Sequence, residues 1–396
     1  MMLNKVDMNS ATSNTPSKKV RVMIVDDSAL MRKLLTQTLS RDAGIEVVDT
    51  AMDGQFALDH LARVRPDVVL MDVDMPRLDG LAALDRIVAE YQLPVVMCST
   101  RTTAGAQSTI EALARGAVDF IEKPALNELT SGQAAARITA KVHNAAGARV
   151  SASRRRKLIS KTVREKSSVT VEDSQKTAPS VKSAARSSME QVARMARQAM
   201  PELVAIGTST GGPPALEQVI SALPSDFPFG IAIVQHMPQG FTAMLAAHLD
   251  RSSLITVREA VDGEAIVPGV ALIAPGNEHL RVVRSGNGYS VSLDDRMPQV
   301  SGHRPSVDVL FESVATATRG RAVGVIMTGM GSDGAANMGR LAAAGGVTIA
   351  QTPESCVCHG MPKSAIDAGH ARAVLPLDEI AAALIACGTA VSKNVS

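Results

Sequence analysis

Two sets of residues in this sequence have the types and spacing that chemistry requires. The first is acidic. Asp26 and Asp27 close the apolar run VRVMIV, Asp72 closes VVLM, and Asp74 follows in the DVDMP loop. Ser99 closes LPVVMC, and Lys123 closes DFIE just ahead of a proline. Carboxylates gathered on one edge repel one another unless a cation sits among them. Mg²⁺ is a hard ion that takes oxygen ligands and keeps several waters. A carboxylate beside such a cation and a lysine can attack a phosphoryl donor and become an acyl phosphate. Ser99 would then hydrogen-bond the new phosphoryl group and Lys123 would pair with it. A single strand-end aspartate is a cap or turn former; the reading rests on the whole set in this order.

The second set is Ser209, His236 and Asp333. Ser209 lies in AIGTSTGGPPAL, His236 ends FGIAIVQ, and Asp333 lies in the glycine-rich turn after AVGVIMTG. A nucleophilic serine needs a base, and the base needs a carboxylate to fix its tautomer and stabilise its charge. The turn holding Ser209 opens a helix, where outward N–H groups can hold a negative oxygen. Gly207, Gly211 and Gly212 match neither G-x-G-x-x-G nor a P-loop, which weakens a nucleotide reading. Gly207-Thr208-Ser209-Thr210-Gly211 does match the local elbow of α/β-hydrolases, but the chain order Ser, His, Asp differs from their Ser, Asp, His. Taken singly, Ser209 reads as a helix cap, His236 as a strand-end histidine and Asp333 as a turn former. Together they read as catalysis. Cys356, Cys358 and His359 also cluster, and thiolate and imidazole ligate zinc, but no fourth ligand is near, which favours a structural role.

The elements that must position these residues alternate. From residue 19 to about 126, short β-rich runs alternate with amphipathic helical ones, the pattern of a parallel sheet with helices on both faces. From about 143 to 198 the chain is rich in Ser, Lys and Arg with little apolar periodicity, which predicts a flexible basic linker, 144–199, with a short helix in SMEQVARMARQAM. The run Arg154–Lys157 reads as solvated linker. Beyond residue 200 the alternation resumes through ELVAIGTST, FGIAIVQHMP, GVALIAP, RAVGVIMTG and GGVTIAQ. HLRVVR and GYSVSL form an expected hairpin around Gly286-Asn287-Gly288. The expected fold class is therefore α/β twice: a five-stranded parallel domain over 19–143, and a mainly parallel domain over 200–392.

Composition excludes several classes. The chain has 396 residues, suited to two domains. A net charge of +2 provides no field to attract nucleic acid or an acidic membrane. Aromatics are only 2% with no Trp, too few for base stacking. The four cysteines are scattered, which argues against a disulfide framework. No apolar run reaches the roughly 18 residues of a membrane span, and the first residues have no signal-like apolar core. The expectation is a soluble, cytoplasmic protein with no membrane insertion and no nucleic-acid partner.

The acidic set on its strand ends resembles the receiver domain of two-component response regulators over about 19–127. The resemblance implies a flavodoxin-like fold, Asp72 as phospho-acceptor, and Mg²⁺ held by Asp26, Asp27, Asp72 and the backbone carbonyl of Asp74. It implies Ser99 and Phe120 as a switch pair and Lys123 as a phosphate contact. GTSTGGPPAL, VQHMP, RPSVDVLF and TGMGSDGA resemble the catalytic domain of chemotaxis protein-glutamate methylesterases, the CheB family. That resemblance implies hydrolysis of glutamyl methyl esters on chemoreceptors with release of methanol, deamidation of receptor glutamines, and a chemotaxis-type histidine kinase as phosphodonor. It implies Ser209 as nucleophile, His236 as base and then acid, Asp333 as orienting carboxylate, the Met330 N–H on the oxyanion, and Thr210 with 304–308 near the substrate. The esterase needs no cofactor. With both sites in one chain, the expectation is a gated enzyme whose receiver covers the catalytic edge until Asp72 is phosphorylated. A DNA-binding output, a nucleotide-binding module and a scaffold with a relict triad are the competing readings. The first lacks a three-helix pattern, and the second would not need His236.

Overall fold

The structure is a computed structural model that describes residues 18–100, 102–123, 132–148 and 179–395. The first domain runs β1 (Val20–Val25), α1 (Ala29–Leu39), β2 (Ile45–Ala51), α2 (Gly54–Val64), β3 (Val68–Asp72), α3 (Gly80–Arg86), β4 (Val95–Ser99), α4 (Thr103–Arg115), β5 (Asp119–Glu122) and α5 (Gly132–Ala146). Its sheet has the order β2-β1-β3-β4-β5, with every pair parallel. β3 and β4 are buried at every residue, so both read as unbroken apolar runs rather than alternating ones. Ser28, Asp53, Asp79 and Thr102 each accept a backbone N–H in the first turn of α1, α2, α3 and α4. This is the five-stranded parallel architecture expected from the sequence.

The second domain begins with α6 (Pro179–Ala199), then β6 (Leu203–Thr208), α7 (Gly212–Ile220), β7 (Gly230–Gln235), α8 (Phe241–Ser252), β8 (Thr256–Glu259), β9 (Ala265–Ile266) and β10 (Val270–Ile273). It continues through β11 (His279–Ser285), β12 (Gly288–Asp294), α9 (Val307–Thr318), β13 (Ala322–Ile326), α10 (Ala335–Ala343), β14 (Val347–Gln351), α11 (Gly360–Asp367), β15 (Ala373–Leu375) and α12 (Leu377–Val395). Seven parallel strands lie in the order β15-β14-β13-β6-β7-β10-β8. β6 is central. The chain first builds away from it through β7, then returns to its other side with β13. Such a reversal opens a crevice at the carboxyl ends of the strands. The predicted hairpin is present as β11–β12, turning at Gly286 and Asn287, and β9 adds a third antiparallel strand.

One sequence expectation changes here, and two strands appear that no sequence pattern marks. α6 is a helix of 21 residues, longer than the segment from Ser188 that the sequence marks; Val192, Met195 and Ala196 of that segment are buried, and the helix packs on α12. The strands β8 and β15 carry no signal in the sequence. Both sit at sheet edges and alternate buried with exposed residues, so neither shows an apolar run. Arg154–Lys157 and the rest of 149–178 lie outside the described residues.

Candidate functional site

In the first domain, β1, β3 and β5 deliver the acidic set to one edge. The carboxylates of Asp26, Asp27 and Asp72 offer oxygen atoms within 4.8 Å of one another. Lys123 Nζ lies 2.9 Å from Asp26 Oδ2 and 2.7 Å from Asp72 Oδ2. Burial pushes the Asp72 carboxyl above its ordinary range, although Lys123 pulls the other way. Burial also opposes the charge on Lys123, but its hydrogen bonds to Asp72 and Asp26 outweigh that and hold its pKa raised. An all-oxygen set with surplus negative charge fits a hard divalent cation. The Asp74 backbone hydrogen-bonds Asp72 from the loop beyond β3. Ser99 Oγ donates to the Gly105 carbonyl at 2.8 Å, so this hydroxyl is engaged by the first turn of α4.

In the second domain, the ladder pairs Thr208 with Gln235 and Gly207 with Ile326. Ser209 and His236 therefore leave neighbouring strands at one level, and the β13–α10 loop flanks them. Gly211, at φ 76, makes the turn into α7, a backbone form that glycine adopts without strain. A methyl group on Gly212 would collide with Gln235, whose Nε2 donates to the Ser209 carbonyl at 3.0 Å. The turn is thus locked to β7. A Cβ on Gly329 would come within 2.8 Å of Ser209 Cβ, so the backbone of residues 329 and 330 runs against the serine.

Asp333 Oδ2 lies 2.8 Å from His236 Nε2. The same carboxylate accepts the Ser306 hydroxyl at 2.8 Å, the Val307 N–H at 2.7 Å and the Asp308 N–H at 3.0 Å. It therefore caps the N-terminus of α9 from another element, where a negative charge is favoured. Burial alone would raise the Asp333 pKa, but the bonds from His236, Ser306 and Val307 outweigh it and hold the pKa below the ordinary carboxylate range. A carboxylate accepting from Nε2–H leaves Nδ1 as the unprotonated nitrogen of neutral His236. That Nδ1 is buried and has no hydrogen-bond partner among the described residues.

Within the stretch 304–308, Ser306, Val307 and Asp308 anchor this carboxylate. Arg304 is tied to Asn277 Oδ1 at 2.8 Å and to the Met297 carbonyl at 3.1 Å. The role of Ser306 had a signal in the sequence, a serine just ahead of the apolar run VDVLF; its attachment to Asp333 had none. Cys356 and Cys358 contribute mainly through the backbone. The Cys358 carbonyl accepts from Gly329 N at 2.9 Å and from Thr328 Oγ1 at 3.1 Å. Burial pushes the Cys356 thiol up to about 12.

The two domains meet on this edge. Thr210 Oγ1 donates to Asp119 Oδ2 at 2.6 Å, and Asp119 Oδ1 pairs with Lys141 at 2.7 Å. Phe120 stacks on Phe241 with centroids 4.7 Å apart. Asn144 Nδ2 reaches the sulfur of Met330, and Val357 packs with Ile121, Ile138 and Val142 of the first domain. α4 lies on α7 and α8. Sequence reasoning misses Asp119, Lys141 and Asn144, because nothing in their local sequence marks a surface residue that meets another domain.

Comparison with known proteins agrees with both halves. Residues 22–132 match the response regulator receiver domain model, and residues 204–384 match the CheB methylesterase model. The protein-glutamate methylesterase/protein-glutamine glutaminase of Symbiobacterium thermophilum is 44% identical over 387 residues, 94% of this chain and 98% of the relative. That of Geobacillus kaustophilus is 44% identical, over 93% of this chain and 98% of its own. Among solved structures, the Thermotoga maritima CheB methylesterase catalytic domain shares 43% identity over 47% of this chain and 97% of its own, with a TM-score of 0.46. With relatives at this identity over nearly all of the chain, and with a receiver model and a methylesterase model both matched within it, the chain belongs to the CheB family of protein-glutamate methylesterase/protein-glutamine glutaminase enzymes.

Proposed function

We propose that this chain hydrolyses glutamyl methyl esters of chemoreceptors and deamidates receptor glutamines, under control of phosphorylation at Asp72, in chemotaxis adaptation. The observation that carries the chemistry is the His236 Nε2–Asp333 bond, which leaves a buried Nδ1, without a hydrogen-bond partner among the described residues, at the level of Ser209. In the proposed reaction His236 Nδ1 takes the Ser209 proton as Oγ bonds to the ester carbon. The Met330 N–H, beside Gly329, holds the developing oxyanion. His236 then gives its proton to the leaving methoxide, and methanol departs, leaving a glutamyl ester on Ser209. Water, deprotonated by the same nitrogen, attacks that ester; the proton returns to Ser209 Oγ and a glutamate is released. For a glutamine the leaving group is ammonia and the other steps are the same.

The contact between the domains supports the control. Asp119, Phe120 and Asn144 sit on Thr210, Phe241 and Met330, beside the nucleophile and the oxyanion loop, where a receptor helix would have to enter. Asp26, Asp27, Asp72 and the Asp74 carbonyl would hold Mg²⁺, which when bound neutralises charge during phosphoryl transfer. Asp72 takes the phosphoryl group from a chemotaxis-type histidine kinase. Ser99 then exchanges the Gly105 carbonyl for the phosphoryl oxygen, and that pull on α4 and Phe120 loosens the contact. Both partners act at a cytoplasmic site; among the described residues no helix is long and apolar enough to cross a membrane.

The test is methanol release from methylated receptor membranes, with and without acetyl phosphate and Mg²⁺. Wild type is expected to release methanol and to respond to the phosphodonor. Ser209→Ala is expected to lose release by at least about 10³-fold, and Asp72→Asn to lose only the response. Equal release from wild type and Ser209→Ala would overturn the assignment.

A further inference from the structure

His303 has no place in the triad chemistry, yet its imidazole lies flat against that of His236. The ring centroids are 3.8 Å apart and the planes differ by 9°. A purpose-built turn presents it. Val300 and His303 exchange backbone hydrogen bonds of 3.1 and 2.9 Å across Ser301 and Gly302, whose φ values of 54° and 79° define a tight two-residue hairpin. That turn is fastened on both sides. Ser301 Oγ donates to Asp308 Oδ2 at 3.3 Å, and the neighbouring Arg304 fork grips Asn277 and the Met297 carbonyl.

We propose that His303 is a positioning residue for His236: a neutral aromatic plate that fixes the plane of the base and stabilises its imidazolium through the π face. This rests on His236 being the base. When Ser209 loses its proton, His236 becomes a cation in a site with little water, and the face of a neutral ring attracts a cation. Asp333 fixes one end of the His236 ring but leaves rotation about that bond; the stacked plate removes this freedom and keeps Nδ1 aimed along the strand ends. The plate works only while uncharged. The groups facing it are His236, Asp333 and, from α5 of the receiver, Lys141. Burial and the His236 charge, with a smaller push from Lys141, hold the His303 pKa down at about 4 against the pull of Asp333. His303 is thus neutral across the working range of an imidazole base.

The test compares His303→Phe with His303→Leu in the full chain, using methylated receptor membranes with acetyl phosphate and Mg²⁺. Thermal unfolding is recorded for each, so that a folding defect is seen as such. Phe keeps a π face and should retain kcat within about threefold. Leu fills similar space without one; its kcat should fall about tenfold, with KM little changed. Its acid limb of kcat/KM should also move to lower pH, because the imidazolium has lost support. If both Leu and Phe keep the wild-type kcat and acid limb, His303 is packing only and the proposal fails. Equal loss in Phe and Leu at unchanged Tm would show that a ring nitrogen is needed, and this too would overturn it. His236→Ala is the separate control: methanol release that survives it would sink the triad itself, whatever His303 does.

Discussion

At the scale of single residues, Asp333 has two roles that are hard to separate by eye. It orients His236, and it caps α9 through Ser306, Val307 and Asp308. Asparagine in its place would keep the shape but offer one acceptor oxygen and a misplaced NH₂. Asp333→Asn should therefore lower kcat by about 10³–10⁴-fold, as wrong-tautomer variants of such triads do. It should also cost about 2–4 kcal/mol of stability, because buried N–H groups lose their charged acceptor. The pH dependence has a definite sign. The folded pKa of Asp333 is lowered, so its stabilisation is present above the unfolded value near about 4 and is lost as pH falls through the folded value. Calorimetry should find the full Tm gap between wild type and variant at about pH 6, and a shrinking gap below about pH 4. A gap independent of pH would mean that the charge on Asp333 is not what holds α9.

At the scale of elements, the contact made by β5 and α5 is polar at its centre and apolar beside it. Asp119 joins Thr210 to Lys141, and Phe120 next to it stacks on Phe241. The Ser209 turn and Phe241 are thus held by adjacent residues of one short strand. Asp119→Ala would remove a hydrogen bond to a charged acceptor, worth about 1.5–3 kcal/mol. Methanol release without a phosphodonor should rise about tenfold or more, and the stimulation by acetyl phosphate should shrink by a similar factor. A variant with unchanged basal release would show that Asp119 takes no part in restraint. These elements also mark how far a sequence can be read. The strand ends carrying Asp72, Ser209 and His236 were legible because buried parallel strands appear as apolar runs, and the residues just past such a run lie on the ligand edge. β8 and β15 were not, since edge strands alternate and are short. Nor were His303, Asp119 and Asn144: each matters through a neighbour far away in the chain, and no local periodicity encodes that proximity.

At the scale of the whole molecule, the receiver and the catalytic domain share one buried apolar cluster that includes Ala106, Ile110 and Phe120 on one side and Leu216, Phe241 and Leu245 on the other. Ser99 is bonded to Gly105 at the start of α4, and α4 lies on α7 and α8. Under the proposed control, a change at Asp72 would reach the catalytic edge through this helix, which packs in the receiver and against the catalytic domain. Such a change is a population shift, so phosphorylation can open the site only by as much as it prefers the receiver state that no longer fits α7 and α8. Hydrogen–deuterium exchange reads this directly. With acetyl phosphate and Mg²⁺, backbone amides of α4, β5 and the start of α7 should exchange faster, while β6, β7 and β13, inside the sheet, should stay protected. Asp72→Asn should show none of the change. Faster exchange confined to the receiver, with the Ser209 turn unaffected, would mean that the signal stops at the domain boundary and that activation proceeds without uncovering the site.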